Sequence, residues 1–152
     1  MEIDIYNLWM EEALSLAEQA RDIDEVPVGA VVVMNDRIIG RGFNRPISKC
    51  DPSAHAEIEA LRDAAHYMGN YRLSNSSLVV TVEPCTMCAG ALIHARVRHL
   101  IFGAREPRSG AIKSTISVLE NGKLNHRVMV TEGVLEDKCR ALLTKFFQSR
   151  RE

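Results

Sequence analysis

Four side chains that could do metal chemistry lie in two short stretches of the chain. The stretch SAHAE contains His55 and Glu57, and the stretch EPCTMC contains Cys85 and Cys88. An imidazole and two thiolates suit zinc, whereas two thiolates argue against magnesium or calcium. A carboxylate two residues after a ligand is well placed to take a proton from a metal-bound water. The two stretches therefore predict a zinc site with a general base beside it.

Two alternatives remain open at this level. In one, the two cysteines are small core residues or a redox pair, and His55 caps a helix. In the other, zinc only supports the fold, and a fourth protein ligand closes the site. Cys50 is the stronger candidate for that ligand because it lies five residues before His55, and Cys139 is the other candidate.

Helical and strand periodicities place both stretches at the starts of helices. In the segment beginning at Ala54, Ser53 is the expected N-cap, and Ile58, Leu61 and Ala65 form the expected buried stripe. Pro84 is expected to start the helix that carries the cysteines, since proline fits a first turn. The full prediction is helices over 6–20, 54–68, 84–95 and 134–149, strands over 26–34, 37–44, 77–83 and 97–104, and a short strand within 126–133.

This order of elements predicts an α/β fold. A β-α-β-α-β run calls for parallel strands with right-handed crossovers, whereas the Asn-Asp turn at 35–36 joins the first two strands as an antiparallel hairpin. We expect three α/β/α layers with a mixed central sheet of about five strands. Both site-bearing helices then begin at a loop or strand end, so their N-termini can converge at one edge of that sheet.

Composition is that of an ordinary globular protein. The 152 residues are 46% hydrophobic and 26% charged, which predicts a single domain over 1–152. No apolar run approaches the roughly 20 residues of a membrane span, and the acidic amino end is unlike a signal peptide. We therefore expect an intracellular protein with reduced thiols and no membrane partner.

Charge is unevenly distributed around a net charge of −1. Residues 96–113 carry five bases against one acid, and residues 140–152 carry four bases against one acid. A polyanion could bind such segments locally, although solvated surface charge is the commoner explanation for them. Charge by itself therefore leaves nucleic-acid binding open.

The sequence segments around the two stretches resemble those of one family. H-A-E with P-C-x-x-C is the signature of zinc nucleobase deaminases in general. The stretches EVPVGAVVV, GRGFNRPI, NYRL, CAGALIHAR, FGARE and NHRV narrow the match, which runs from residue 25 to residue 147. The chain thus resembles bacterial tRNA-specific adenosine deaminases of the TadA type, within the cytidine deaminase-like superfamily.

The resemblance implies a cytidine deaminase-like fold with one zinc ion per subunit, held by His55, Cys85 and Cys88 with water or hydroxide as the fourth ligand. Zinc-bound hydroxide would attack C6 of adenine while Glu57 carries protons to the ring and to the departing ammonia. The implied product is inosine at the wobble position of a tRNA anticodon. The implied enzyme is a cytoplasmic homodimer without a nucleotide cofactor.

Substrate contacts are also implied by the resemblance. Asn44 would hydrogen-bond the flipped base, the backbone of Ala56 would lie against the ring edge, and Val26 would pack on the base or its sugar. Arg105 and Glu106 belong to a loop expected near the flanking nucleotides. Relatives usually have Asp where this chain has Glu106, and one added methylene could shift a ribose contact. The C-terminal helix and its basic tail would lie along the RNA.

Two other functions compete with this one. A free-base deaminase acting on guanine or cytosine would share the same two motifs. A zinc-stabilised RNA-binding module without turnover would share the metal ligands but would not need Glu57.

Overall fold

The structure is a computed structural model that describes residues 2–150, so Arg151 of the predicted basic tail lies outside the described residues. Residues 2–150 contain four α-helices, five strands and a short 3₁₀ helix. Their order is α1 (Glu2–Asp22), β1 (Gly29–Met34), β2 (Arg37–Phe43), α2 (Ala56–Met68), β3 (Ser77–Val82), α3 (Thr86–His94), β4 (His99–Ala104), the 3₁₀ helix (Val118–Glu120), β5 (Met129–Glu132) and α4 (Glu136–Arg150).

All five strands form one mixed sheet in the order β2-β1-β3-β4-β5. β1 is antiparallel to both of its neighbours, whereas β3, β4 and β5 are mutually parallel. Four strands therefore run in one direction and only β1 runs against them. The carboxyl ends of β2, β3 and β4 consequently meet the amino end of β1 at one edge of the sheet.

The reversal of β1 depends on the turn after it. Asn35 and Asp36 both have positive φ angles, 52° and 60°, and the strands pair directly across them from Met34 to Arg37. This geometry matches the twist of a two-residue hairpin, and asparagine and aspartate tolerate it better than most residues. The predicted hairpin is confirmed.

Helices cover both faces of the sheet, so the predicted three-layer α/β/α architecture is also confirmed. α2 and α3 pack on one face with Ala30, Val32 and other strand residues of the same side. α1 and α4 pack on the opposite face with Val31 and Val33. Because alternate residues of β1 face two helical layers, both sets must be apolar, which explains its continuous apolar sequence.

Two details of α2 differ from the sequence prediction. The helix begins at Ala56 with His55 in the N-cap position, and the Ser53 hydroxyl instead donates a hydrogen bond to Asp51 over 2.7 Å. Of the predicted stripe only Leu61 is buried, while Ile58 and Ala65 are half-exposed. The sheet-facing side consists of alanines because it packs closely on glycines of β2. The closely packed residues are Ala56, Ala60 and Ala64 of α2 and Gly40 and Gly42 of β2.

None of the helices between residues 2 and 150 combines the length and hydropathy that a membrane-spanning segment requires.

Gly42→Ala tests the close approach of α2 to the sheet. The added methyl carbon would lie 2.5 Å from both the Ala56 carbonyl oxygen and the Ala60 nitrogen, which is too close for either backbone atom to tolerate without moving. We expect the free energy of unfolding to fall by about 1–3 kcal/mol, as in other overpacked cores. Urea denaturation followed by circular dichroism measures the change.

Gly122→Ala is the matched control because no atom lies within 4 Å of the position its methyl carbon would take. Its stability should stay within about 0.5 kcal/mol of the parent chain. Equal stability of the two variants would show that α2 does not depend on the glycine.

Candidate metal centre

The candidate ligands lie at the amino ends of two helices. His55 and Cys85 take the N-cap positions of α2 and α3 with extended backbone angles, and neither side chain caps its own helix. Cys88 lies one turn later, in the first turn of α3. α3 thus begins two residues beyond Pro84, the predicted start. Because the positive ends of both helix dipoles point at this edge of the sheet, thiolates are stabilised there.

The imidazole and the two thiols are in mutual contact. His55 Nδ1 lies 3.6 Å from Cys85 Sγ and 3.6 Å from Cys88 Sγ. All three ligand atoms lie within 4.8 Å of one another. A tetrahedral zinc ion with bonds of about 2.3 Å to sulfur and about 2.0 Å to nitrogen requires N···S separations of about 3.6 Å. The three donors therefore fit a zinc ion in both chemistry and spacing.

The proposed fourth ligands of a closed structural site lie elsewhere. Within residues 2–150, the metal-ligating group that includes His55 contains no cysteine besides Cys85 and Cys88. Cys50 is exposed, and Cys139 is buried in the opposite layer, where burial raises the pKa of its thiol to about 12. A group of three protein donors is typical of catalytic zinc, which keeps the remaining position for water or substrate.

Proton sharing links the three donors. The Cys88 thiol donates a hydrogen bond that lowers the pKa of Cys85 to about 3, and the neighbouring His55 acts in the same direction. The same hydrogen bond, together with burial, raises the pKa of Cys88 well above its ordinary range. The bond to Cys85 also raises the pKa of His55. A metal ion would replace these shared protons, since ligation requires the deprotonated forms.

Glu57 lies beside this group with only 4% of its surface exposed. Burial raises the pKa of its carboxyl to about 7, and the charge of Cys85 adds to the increase. A carboxyl group with a pKa near neutrality can both accept and donate a proton under ordinary conditions. The sequence position of Glu57 predicted a general base, and that role stays a prediction.

Glu57, His55 and Cys85 form part of the wall of a cavity of about 140 Å³. Its opening lies at the edge where strand ends and helix starts converge. The other lining residues are Val26, Val28, Asn44, Val82, Glu83, Glu106, Ser109, Leu143 and Phe147.

Three of the predicted substrate contacts, Val26, Asn44 and Glu106, line this cavity. Ala56 is buried and is not among the lining residues. Its backbone N–H donates to Asn44 Oδ1 over 2.9 Å, which ties the end of β2 to the start of α2. Because the side-chain oxygen of Asn44 accepts this bond, its NH₂ group is the part that can donate to a ligand.

Arg105 is directed away from the cavity. Its guanidinium makes two hydrogen bonds to Glu132 on the neighbouring strand, of 2.8 and 3.0 Å. The pKa of Glu132 falls below its ordinary value because of these bonds. Arg105 is not among the residues lining the cavity, so the structure does not bring it together with the other predicted contacts.

Six lining residues were not predicted as site residues, namely Val28, Val82, Glu83, Ser109, Leu143 and Phe147. Leu143 and Phe147 come from α4, on the opposite layer from α2 and α3, so only tertiary packing could reveal them. Glu83 follows β3 directly and is 4% exposed. Burial tends to raise the pKa of its carboxyl, but hydrogen bonds from Lys113 N–H and Ser114 outweigh that effect and lower it. A glutamate before P-C was visible in the sequence, but its bonding partners were not.

Comparison with known proteins adds family information to this geometry. Residues 6–151 match the family described as MafB19-like deaminase. The tRNA-specific adenosine deaminase of Haemophilus influenzae is 52% identical over 144 residues, which cover 94% of this chain and 83% of that protein.

Solved structures agree in fold. One, from a study of A-to-I editing by tRNA:A34 deaminases at the wobble position of transfer RNA, has a TM-score of 0.86 and 41% identity. It covers 89% of this chain and 98% of its own. A guanine deaminase from Nitrosomonas europaea has a TM-score of 0.79 and 29% identity, covering 92% of this chain and 83% of its own. The chain is therefore similar to deaminases of more than one substrate class.

Zinc content tests the three-donor group. Cys88→Ala removes a buried donor and should reduce bound zinc from one ion per chain to a small fraction. Loss of a residue that merely supports a ligand weakens metal binding about 10–100-fold, and Cys88 is itself one of the three donors. Cys50→Ser is the matched control and should keep one ion per chain. Mass spectrometric metal analysis after dialysis measures both. Loss of zinc from Cys50→Ser would restore the closed structural site as the better interpretation.

Proposed function

The chain belongs to the family of tRNA-specific adenosine deaminases, within the cytidine deaminase-like superfamily, and on that premise we propose that it converts adenosine to inosine at the wobble position of a tRNA anticodon. The observation that supports this most is the His55–Cys85–Cys88 group with buried Glu57 beside it, at the base of a small cavity. The relatives named for tRNA are 52% and 41% identical to this chain, against 29% for the guanine deaminase, which supports tRNA over a free base.

The three donors would hold one zinc ion per subunit. Bound zinc supplies an activated water for attack on C6 of the base at neutral pH. Glu57 takes a proton from that water and gives it to the ring nitrogen, then takes a second proton from the oxygen now bonded to C6 and gives it to the amino group, which leaves as ammonia. Its raised pKa suits this exchange, because the carboxyl neither holds a proton too tightly nor releases it too completely near neutrality.

The cavity receives one base rather than a duplex. An anticodon loop presents unpaired bases, which cost little to splay out. The Asn44 NH₂ group donates to the base, and Val26 packs against the base or its sugar. The Ala56 N–H orients Asn44 by donating to its side-chain oxygen. Glu106 faces the nucleotides that flank the reacting one.

Basic residues near the opening would contact the phosphates. Arg108 is exposed and lies between two cavity-lining residues, Glu106 and Ser109. Lys145 is exposed on α4 but lines a groove between α1 and α4, away from the cavity, so it is not placed with Arg108. Phosphate contacts of this kind position an RNA without specifying its sequence. We also expect Arg105 to contact the RNA, although in this structure its guanidinium binds Glu132.

Three wider expectations belong to the same proposal. The single sheet supports one domain over the chain, and a tRNA substrate leads us to expect the enzyme in the cytoplasm. A homodimer is supported by an apolar groove on the outer face of α2 and α3, where half-exposed side chains lack cover within the described chain. Its lining includes Ile58, Leu61, Ala65, Tyr71 and Ala91.

Substrate choice is tested by offering RNA and free bases in parallel. We expect inosine at position 34 of an anticodon stem-loop that carries adenosine there, and no ammonia from free guanine or cytosine. Mass spectrometry of nuclease digests detects inosine, and a coupled assay detects ammonia. Ammonia from guanine without inosine in RNA would favour the free-base alternative, which the similarity to a guanine deaminase keeps in view.

Glu57→Gln tests turnover against simple RNA binding. The amide keeps the shape of the side chain but cannot carry protons, so kcat should fall by about 10²–10⁴-fold while one zinc ion per chain is retained. Glu59→Gln is the matched control, because Glu59 is also buried on α2 but pairs with Arg45 and Lys49 instead of lining the cavity. It should keep most of the activity. Full activity in Glu57→Gln would disprove the proton-carrying role.

A further inference from the structure

Glu83 joins the cysteine-bearing segment to the loop between β4 and the 3₁₀ helix. Its carboxylate accepts hydrogen bonds from the backbone N–H groups of Glu106, Ile112, Lys113 and Ser114, at 3.0, 3.1, 2.7 and 3.0 Å. The Ser114 hydroxyl donates a further one. No residue of the proposed chemistry depends on this carboxylate directly, yet it is buried in the wall of the same cavity.

The two carboxylate oxygens hold different parts of the loop. Oε2 accepts the three consecutive N–H groups of residues 112–114, an arrangement like the backbone nests that bind anions. Oε1 accepts the Glu106 N–H and the Ser114 hydroxyl. The loop is thus wrapped around one side chain, with Glu106 attached through Oε1 alone.

Backbone contacts hold the base of the loop independently. The Glu83 N–H donates to the Ala104 carbonyl over 2.8 Å, and the Ala111 N–H donates to the Pro84 carbonyl over 2.8 Å. Ala111 and Ile112 are buried in the core beneath α3. The loop's inner half is therefore held by packing as well. Its outer half, which carries Glu106 and Ser109 to the cavity, is held by a turn in which the Gly110 N–H donates to the Glu106 carbonyl over 2.9 Å, and by the bond from the Glu106 N–H to the Glu83 carboxylate.

We propose that Glu83 is a positioning residue that holds Glu106 against the cavity and thereby sets how the enzyme binds the RNA around the reacting base. This inference rests on the proposed function. It assigns Glu83 no contact with the reacting atoms and no role in holding the metal.

Glu83→Gln should remove the hydrogen bond to the outer half of the loop while keeping those to the inner half. The carbonyl oxygen of glutamine can replace Oε2 and keep residues 112–114, while its NH₂ group then faces the Glu106 N–H. Two donors cannot bond to each other, so the Glu106 attachment is lost, whereas the Ser114 hydroxyl can rotate to accept. The side-chain shape is otherwise preserved.

The first measurement is steady-state kinetics on the anticodon stem-loop. We expect kcat/KM to fall by about 10–100-fold, since small displacements of a positioning group cost up to that much. Most of the fall should appear in KM, zinc should stay at one ion per chain, and the Glu106 amide should exchange with solvent faster in NMR experiments. Unchanged kinetics, or a loss fully explained by lost zinc, would overturn the inference.

A double-mutant cycle with Glu106→Ala shows whether Glu83 acts through Glu106. If it does, the double variant should be no worse than the poorer single variant, within about twofold. Glu25→Gln is the matched control, because Glu25 is a buried glutamate that accepts backbone N–H groups from Ile47 and Ser48 on a different loop. Its effect should multiply with that of Glu106→Ala. Multiplicative effects of Glu83→Gln as well would overturn the inference.

Gly110→Ala provides a second route that leaves Glu83 intact. The added methyl carbon would overlap the Glu83 carboxyl and lie 2.6 Å from the Glu106 carbonyl oxygen, so it should displace the same attachment. We expect the same rise in KM with zinc retained, and normal kinetics would count against the inference. Wild-type protein that makes no inosine would refute the proposed function instead, so the two failures are distinguishable.

Discussion

The contact of one imidazole with two thiols, each 3.6 Å away, is the constraint on which the rest of the structure depends. The histidine lies 30 residues before the nearer cysteine. It is at the start of α2, whereas both cysteines are at the start of α3. Two helices can begin side by side only if the strands before them end at the same edge of the sheet. The single reversed strand, β1, and the close approach of α2 to Gly40 and Gly42 meet this requirement.

Two buried glutamates in one cavity show how partners decide the role of a side chain. Burial dominates at Glu57 and raises its pKa to about 7, which suits proton transfer. Glu83 is equally buried, but backbone N–H groups and a hydroxyl surround its carboxylate and lower its pKa. A carboxylate stabilised in this way keeps its charge and serves as a fixed acceptor. The same residue type therefore has a raised pKa at one wall of the cavity and a lowered pKa at another, because its partners differ.

The candidate metal donors and the rest of the cavity wall indicate different things about the substrate. A guanine deaminase shares the fold at 29% identity, so the fold by itself does not identify the base. The cavity wall formed by α4 and by the loop around Glu106 is where selection between an RNA and a free base would be made. Phe147 and Leu143 reach that wall from the layer opposite α2, so the two helical layers together form the cavity.

The amino-acid sequence by itself determined the element order, the α/β class and the group of candidate donors, because apolar periodicity and motif spacing are local properties of the chain. It misplaced the start of α2 and its buried stripe, since the close packing of alanines on β2 depends on a neighbour that the local pattern does not contain. Only the tertiary structure separated Cys50 from the metal-ligating group, turned Arg105 towards Glu132 and surrounded Glu83 with donors. Each of these outcomes depends on which distant segments meet at the sheet edge, and long-range pairing, not local propensity, decides that.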